Sequence, residues 1–135
     1  MSSKVNIVAV LLLSLSMVPV IASVHAQSPD FSLTPTSFSL LFEQGVKGIR
    51  TTTFTVTSLN GFAGTIGFTI TPVPTGYSTS INPTSVTLSS GGSATTKLIV
   101  SYNGDPADCT GFRMTFTATS GGLVHTSPGS ASCAI

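Results

Sequence analysis

The stretch Phe112-Arg-Met-Thr-Phe-Thr-Ala-Thr119 decides the fold class, because apolar and polar residues alternate along its whole length. Successive side chains of a β-strand point to opposite faces, so the alternation predicts a strand with one buried and one solvated face. Residues 51–58 and 65–71 repeat the scheme, with threonines on the polar face. Threonine suits a pleated surface because it is β-branched and its hydroxyl stays in water. These strands predict antiparallel sheets packed over a common core.

Weaker strand patterns fill the rest of the chain, and glycine-containing turns separate them. The turns include Asn60-Gly61, Gly91-Gly92, Asn103-Gly104 and Gly121-Gly122. The weaker strands cover residues 31–33, 38–42, 77–81, 86–88, 97–102, 123–126 and 131–134. About seven to nine short strands at this spacing predict an all-β sandwich. A closed barrel is the competing architecture.

An internal similarity links two parts of the chain. Pro35-Thr-Ser-Phe-Ser-Leu40 resembles Pro83-Thr-Ser-Val-Thr-Leu88, and each is followed by a glycine-containing turn and a threonine-rich strand. Two complete repeats would need a longer chain. The similarity therefore predicts two related strand-turn-strand corners within one sandwich.

The N-terminal segment has the organisation of a secretory signal. Lys4 precedes an apolar run, and the run ends in Ala22-Ser-Val-His-Ala26. Val24 and Ala26 occupy the −3 and −1 positions of a signal-peptidase site. We predict a signal helix within residues 1–26 and a single domain over residues 27–135. An uncleaved anchor is the alternative, because residues 5–24 are long enough to span a bilayer.

Charge excludes one large class of function. Charged residues make up 7% of the sequence, against about 25% in ordinary soluble proteins. After residue 26 the chain has four basic and four acidic residues, so the net charge of that region is zero. Nucleic-acid binding requires a dense basic face, which this composition excludes. Contact with a membrane is predicted only through the N-terminal segment, if that segment is retained.

Several segments resemble the immunoglobulin-like repeats of exported bacterial and archaeal proteins. The similar segments are Asp30-Phe-Ser-Leu33, residues 57–65, residues 82–92 and residues 116–121. Such repeats occur in secreted hydrolases and surface proteins, so the resemblance implies an immunoglobulin-like sandwich. It implies no catalytic residues. This chain departs from the pattern because it has one repeat, two cysteines and a different C-terminal end.

The two cysteines predict a disulfide in an exported domain. If Gly121 lies at the centre of a hairpin, Cys109 and Cys133 are equally distant from it and face each other. Strict alternation nevertheless puts Cys109 on the polar face with Arg113, unless Gly111 introduces a bulge. Two unpaired thiols, or a disulfide to another chain, are the alternatives.

The sequence offers little for catalysis or for a metal. After residue 26 the one histidine is His125, and with Cys109, Cys133 and Met114 it does not make up a copper or zinc site. The segment also lacks a G-x-S-x-G nucleophile motif. The four carboxylates, Asp30, Glu43, Asp105 and Asp108, are predicted to be solvated loop residues. We predict no enzyme activity and no cofactor, with a very small hydrolase or metal protein as the alternative.

A contact site and self-association remain as predictions. Tyr102 ends a predicted strand beside Asn103 and Gly104, and Tyr102 and Asn103 are predicted to form a loop contact for a sugar. The alternative is a tyrosine at the edge of the core. The low charge leaves sheet edges poorly guarded. Residues 65–71 and 97–102 are predicted to accept another strand, and residues 31–33 to be donated or to pair within the domain.

These features predict a secreted or cell-surface immunoglobulin-like module, without catalysis, that acts in binding, adhesion or structural assembly. One alternative is a subunit of a surface filament or coat that assembles by strand exchange. Another is an accessory, carbohydrate-proximal module of an extracellular hydrolase system. The expected partner is an unidentified protein or surface polymer.

Overall fold

The computed structural model describes residues 26–135, and the predicted signal segment lies almost entirely outside them. Nine strands and one short 3-10 turn, Pro106–Asp108, make up the described chain. The strands are β1 (Asp30–Thr34), β2 (Phe38–Glu43), β3 (Gly48–Leu59), β4 (Gly64–Thr71), β5 (Tyr77–Asn82), β6 (Ser85–Leu88), β7 (Ser93–Tyr102), β8 (Phe112–Ser120) and β9 (Leu123–Ala134).

The strands form two sheets, which confirms the predicted all-β sandwich. The four-stranded sheet has the order β1-β3-β7-β5, and the five-stranded sheet has the order β2-β9-β8-β4-β6. The expectation of antiparallel pairing needs one correction, because β2 runs parallel to β9. A parallel neighbour arises here because β1 and β2 continue in the same direction while the chain moves from one sheet to the other.

The strand order is that of an immunoglobulin-type sandwich. In sequence order β1, β3, β5 and β7 take the places of strands A, B, D and E, and β4, β8 and β9 those of C, F and G. The remaining strands, β2 and β6, extend the five-stranded sheet at its two edges.

The internal similarity marks two places where the chain changes sheets. After β1 the chain passes through Pro35 to β2, and after β5 it passes through Pro83 to β6. Both crossings run from the four-stranded to the five-stranded sheet. They lead to β3 and β7, which pair at the centre of the four-stranded sheet. The two similar segments thus form related corners on opposite sides of one domain.

Aromatic side chains fill the space between the sheets. Phe54 on β3 and Phe116 on β8 are fully buried, and their rings stack with centroids 3.8 Å apart. Phe68 packs on Phe116 from β4, and Phe31 packs on Phe62 near the start of β1. The prediction that residues 112–119 form a strand with one buried face is confirmed. Met114, Phe116 and Ala118 are buried, and their neighbours face outward.

The C-terminal strand is longer than its sequence pattern indicates. The two predicted pieces, 123–126 and 131–134, belong to one strand, β9, that continues through Pro128 and Gly129. Pro128 pairs with Thr115 and Gly129 with Met114. The Pro-Gly pair looks like a turn signal in the sequence, but pairing with β8 on one side and β2 on the other holds it extended.

Candidate functional site

The disulfide lies at the end of the sandwich where β9 finishes. Cys109 is joined to Cys133, with their Cα atoms 5.6 Å apart, as the sequence predicts. The predicted register is off by one residue, because the hairpin pairs Ser120 with Leu123. Cys109 lies in the loop after the 3-10 turn, before β8 begins, so strand alternation does not determine its orientation.

Tyr102 belongs to the core, and the expectation that it forms a loop contact needs correction. Its side chain is fully buried at the end of β7. The hydroxyl donates a hydrogen bond to the carbonyl of Asp105, and the ring packs against Tyr77 and Phe42. Burial also raises the pKa of the Tyr77 hydroxyl, with smaller effects from Tyr102 and Asp108. The alternation that places Leu98 and Val100 inside also places Tyr102 inside.

Asn103 is exposed, but its amide group is used within its own loop. Its Nδ2 donates to Oδ2 of Asp108 over 2.8 Å, and its Oδ1 accepts from the backbone N–H of Asp105 over 2.8 Å. Asp105 in turn caps the 3-10 turn by accepting from Ala107. These bonds organise the loop that leads to Cys109.

His125 and Asp30 form a hydrogen-bonded pair that sequence reasoning missed. His125 Nε2 lies 2.7 Å from Asp30 Oδ1, and both side chains are about one third exposed. Asp30 begins β1 and His125 lies on β9, so the pair joins the two sheets. The His125 ring also meets the edge of Phe31, with centroids 4.7 Å apart. Both residues lie next to recognisable strand patterns, but nothing in the sequence indicates that the two strands meet.

Loss of this pair is expected to make the stability of the protein depend less on pH in the acid range. The hydrogen bond from His125 lowers the pKa of Asp30, and the bond from the Phe31 N–H adds to the effect. A lowered folded-state pKa gives stability that is present above the ordinary value of 3.8 and is lost as pH falls below it. We expect Asp30→Asn to flatten the dependence of unfolding free energy on pH in that range, measured by urea titration followed by circular dichroism. An unchanged dependence would contradict this role, and Asp105→Asn is the matched control.

The remaining residues considered for chemistry are dispersed. Met114 is buried on β8, and Cys109 and Cys133 are used in the disulfide. Asp105 and Asp108 lie near the C-terminal end of β9, whereas His125 lies near its start. Within residues 26–135, no three histidine, cysteine or carboxylate side chains converge in a way that suits a metal ion.

A surface groove lies on the five-stranded sheet near the start of β2. Its volume is about 400 Å³, and three serines, one arginine, one proline, one glycine and Phe38 line it. The lining residues are Ser37, Phe38, Ser39, Arg113, Pro128, Gly129 and Ser130. The groove was not predicted, although one signal was available: Arg113 is a single charge on the otherwise hydroxyl-bearing polar face of residues 112–119.

Gly129 makes room for Phe38 beneath this groove, on the inner face of the sheet. A Cβ atom at this position would clash with the tip of the Phe38 ring. The ring can therefore lie directly over the β9 backbone, where it also meets Phe54 at right angles with centroids 5.3 Å apart. Phe38 thus links the groove to the packed core.

The sheet edges differ in how they are protected. Strand β1 carries Asp30, and strand β6 is four residues long. At β2, Arg50 reaches from the neighbouring sheet and its Nε donates to the Leu41 carbonyl over 2.7 Å. Strand β5, Tyr77–Asn82, has no charged residue. Exposed edges are usually guarded by charge or by shortness, so β5 is the unguarded one.

One of the two segments predicted to accept a strand needs correction. Residues 97–102 belong to β7, which pairs with β3 on one side and β5 on the other, so this segment has no open edge. Residues 31–33 pair with β3 of the same domain, which is the second of the two expectations given for this segment. Residues 65–71 lie in β4, where β6 covers Gly64–Gly67 and β8 covers Gly67–Thr71.

In the described part of the chain, no helix has the length and apolar character needed to cross a bilayer.

Comparison with known proteins adds little to this description. No protein-family model matches the sequence, and no curated protein matches it significantly. Among solved structures, the chain is similar to the periplasmic chaperone SfaE, with a TM-score of 0.49 and 12% sequence identity. The match covers 78% of this chain and 60% of the chaperone, which is less than two thirds of that protein. At this level of similarity the fold assignment depends on the strand order itself.

Proposed function

We propose that the protein is a non-catalytic module of the cell exterior that binds a surface polymer. The observation that carries the proposal is the groove on the five-stranded sheet, where serines and one arginine surround the exposed ring of Pro128. Sites that recognise small ligands combine apolar walls with a few polar groups in this way.

The surface and the disulfide support the same proposal. The outward residues of β4 and β8 are largely threonines, including Thr69 and Thr117, which are cross-strand partners. Such a surface offers hydroxyl groups to a polar polymer without charge repulsion. The Cys109–Cys133 disulfide is typical of proteins from oxidising compartments outside the cytoplasm.

A sedimentation experiment tests this function. The exported, purified protein is mixed with insoluble polysaccharides and with isolated cell envelopes, and the fraction in the pellet is measured. We expect saturable retention on at least one polymer, and loss of retention after reduction and heating. Protein that stays in the supernatant with every polymer and envelope would contradict a binding function.

A second candidate function, structural assembly, is favoured by the unguarded edge. Strand β5 contains six uncharged residues, and the region after residue 26 has zero net charge, so two copies approach without repulsion. Antiparallel pairing of β5 with the β5 strand of a second copy would join two four-stranded sheets into one. This edge lies outside the two segments, 65–71 and 97–102, that the sequence predicts to accept a strand.

The oligomeric state tests the edge pairing. We expect light scattering to show a dimer at concentrations in the tens of micromolar range, and Ser80→Lys to shift it to a monomer. Lysine at this exposed edge position places a positive charge against the partner strand, where charge blocks pairing. Thr69→Lys, on the outer face of the other sheet, is the control and should stay dimeric. A monomeric parent protein would contradict the assembly function and leave the proposed binding function unaffected.

A further inference from the structure

We propose that the groove around Arg113 binds the carboxylate of an acidic sugar residue, such as a uronate within a polysaccharide. The inference builds on the proposed binding function and names the chemistry of the ligand.

The register of three neighbouring strands creates the polar side of the site. Arg113 on β8 pairs with Ser130 on β9, and Ser130 pairs with Ser39 on β2. Adjacent strands are about 4.8 Å apart, so the guanidinium and two hydroxyl groups form a row about 10 Å long across the sheet. This length matches one or two linked sugar rings, and Ser37 adds a third hydroxyl at the end near β2.

Arg113 has donors available for a ligand. It is exposed, and within residues 26–135 it makes neither an ion pair nor a side-chain hydrogen bond. It is also the only lysine or arginine on the described strands of the five-stranded sheet. A guanidinium presents N–H donors in a planar fork that matches the two oxygens of a carboxylate. The groove therefore selects for one negative group rather than for a highly charged polymer.

The rest of the lining favours a sugar as the carrier of that carboxylate. The serine hydroxyls donate and accept hydrogen bonds, as sugar hydroxyl groups require. Pro128 is exposed and gives an apolar ring against which the C–H face of a sugar can lie. A peptide ending in a carboxylate would engage Arg113 as well, but it would leave much of the serine row unused.

The test compares ligands that differ only in the acidic group. Binding of a galacturonate trimer to the exported protein is measured by calorimetry or by chemical-shift changes, with the methyl-esterified trimer as the neutral match. We expect esterification and Arg113→Gln each to weaken binding at least tenfold. Lys97→Gln removes a cation from the other sheet and should have no effect. Ser39→Ala combined with Ser130→Ala should weaken binding severalfold while leaving the unfolding transition unchanged.

Different failures point to different conclusions. Equal binding of the acid and its ester, or full binding by Arg113→Gln, would overturn the carboxylate site while polymer binding remained possible. The protein is also tested with a peptide that has a free C-terminal carboxylate. If this peptide binds through Arg113 and the uronate trimer does not, the ligand of the groove is a protein and not a sugar. If the protein binds no polymer and no envelope, the proposed binding function itself is contradicted.

Discussion

Phe116→Ala is expected to lower the free energy of unfolding by roughly 3–5 kcal/mol, which is the usual cost of replacing a buried phenylalanine by alanine. Phe116 is fully buried, stacks on Phe54 across the two sheets and also packs on Phe68. Its removal leaves a cavity between sheets that regular strand pairing prevents from closing. Domains of this size are stable by about 5–15 kcal/mol, so the loss is a large part of the total.

Chemical denaturation followed by circular dichroism measures this effect, and the neighbouring residue is its control. Thr117 faces outward on the same strand, so Thr117→Ala should change the stability by about 0.5 kcal/mol or less. The pair Phe54→Ala and Phe116→Ala should be non-additive, because each single variant already breaks the stacked contact. Similar losses from Phe116→Ala and Thr117→Ala would show that the core is not organised around this stack.

The fold was accessible from the sequence because its strands carry local signals. Alternation in residues 51–58, 65–71 and 112–119 specifies both a strand and the face that it buries. The similarity between the segments that begin at Pro35 and Pro83 also marks real corners. Each of these features depends on residues close together in the chain, where the period of two acts directly.

Properties that depend on pairing between distant segments were less accessible. Which strands are edges follows from the sheet order, so residues 97–102 were mistaken for an open edge although β7 is paired on both sides. The hydrogen-bonded pair of Asp30 with His125 joins residues far apart in the chain. The groove requires β8, β9 and β2 in register, and the parallel pairing of β2 with β9 has no local sequence signal.

Removal of the disulfide is the second large effect that we expect. The bridge closes a loop of 24 residues, and the loop-entropy model assigns about 3.5 kcal/mol to a bridge of this span. It fixes the loop after the 3-10 turn to the end of β9, and both cysteines also pack against the core.

We therefore expect Cys109→Ala combined with Cys133→Ala to lower the unfolding free energy by about 2–4 kcal/mol. The reduced parent protein should unfold at nearly the same denaturant concentration as the double variant, because both lack the same constraint. Alkylation of the exported protein without reductant should label neither cysteine, and alkylation after reduction under denaturing conditions should label both. Labelling of both cysteines before reduction would show that the disulfide does not form. Labelling as expected, but with no loss of stability in the double variant, would show instead that pairing of β8 with β9 alone fixes this end of the sandwich.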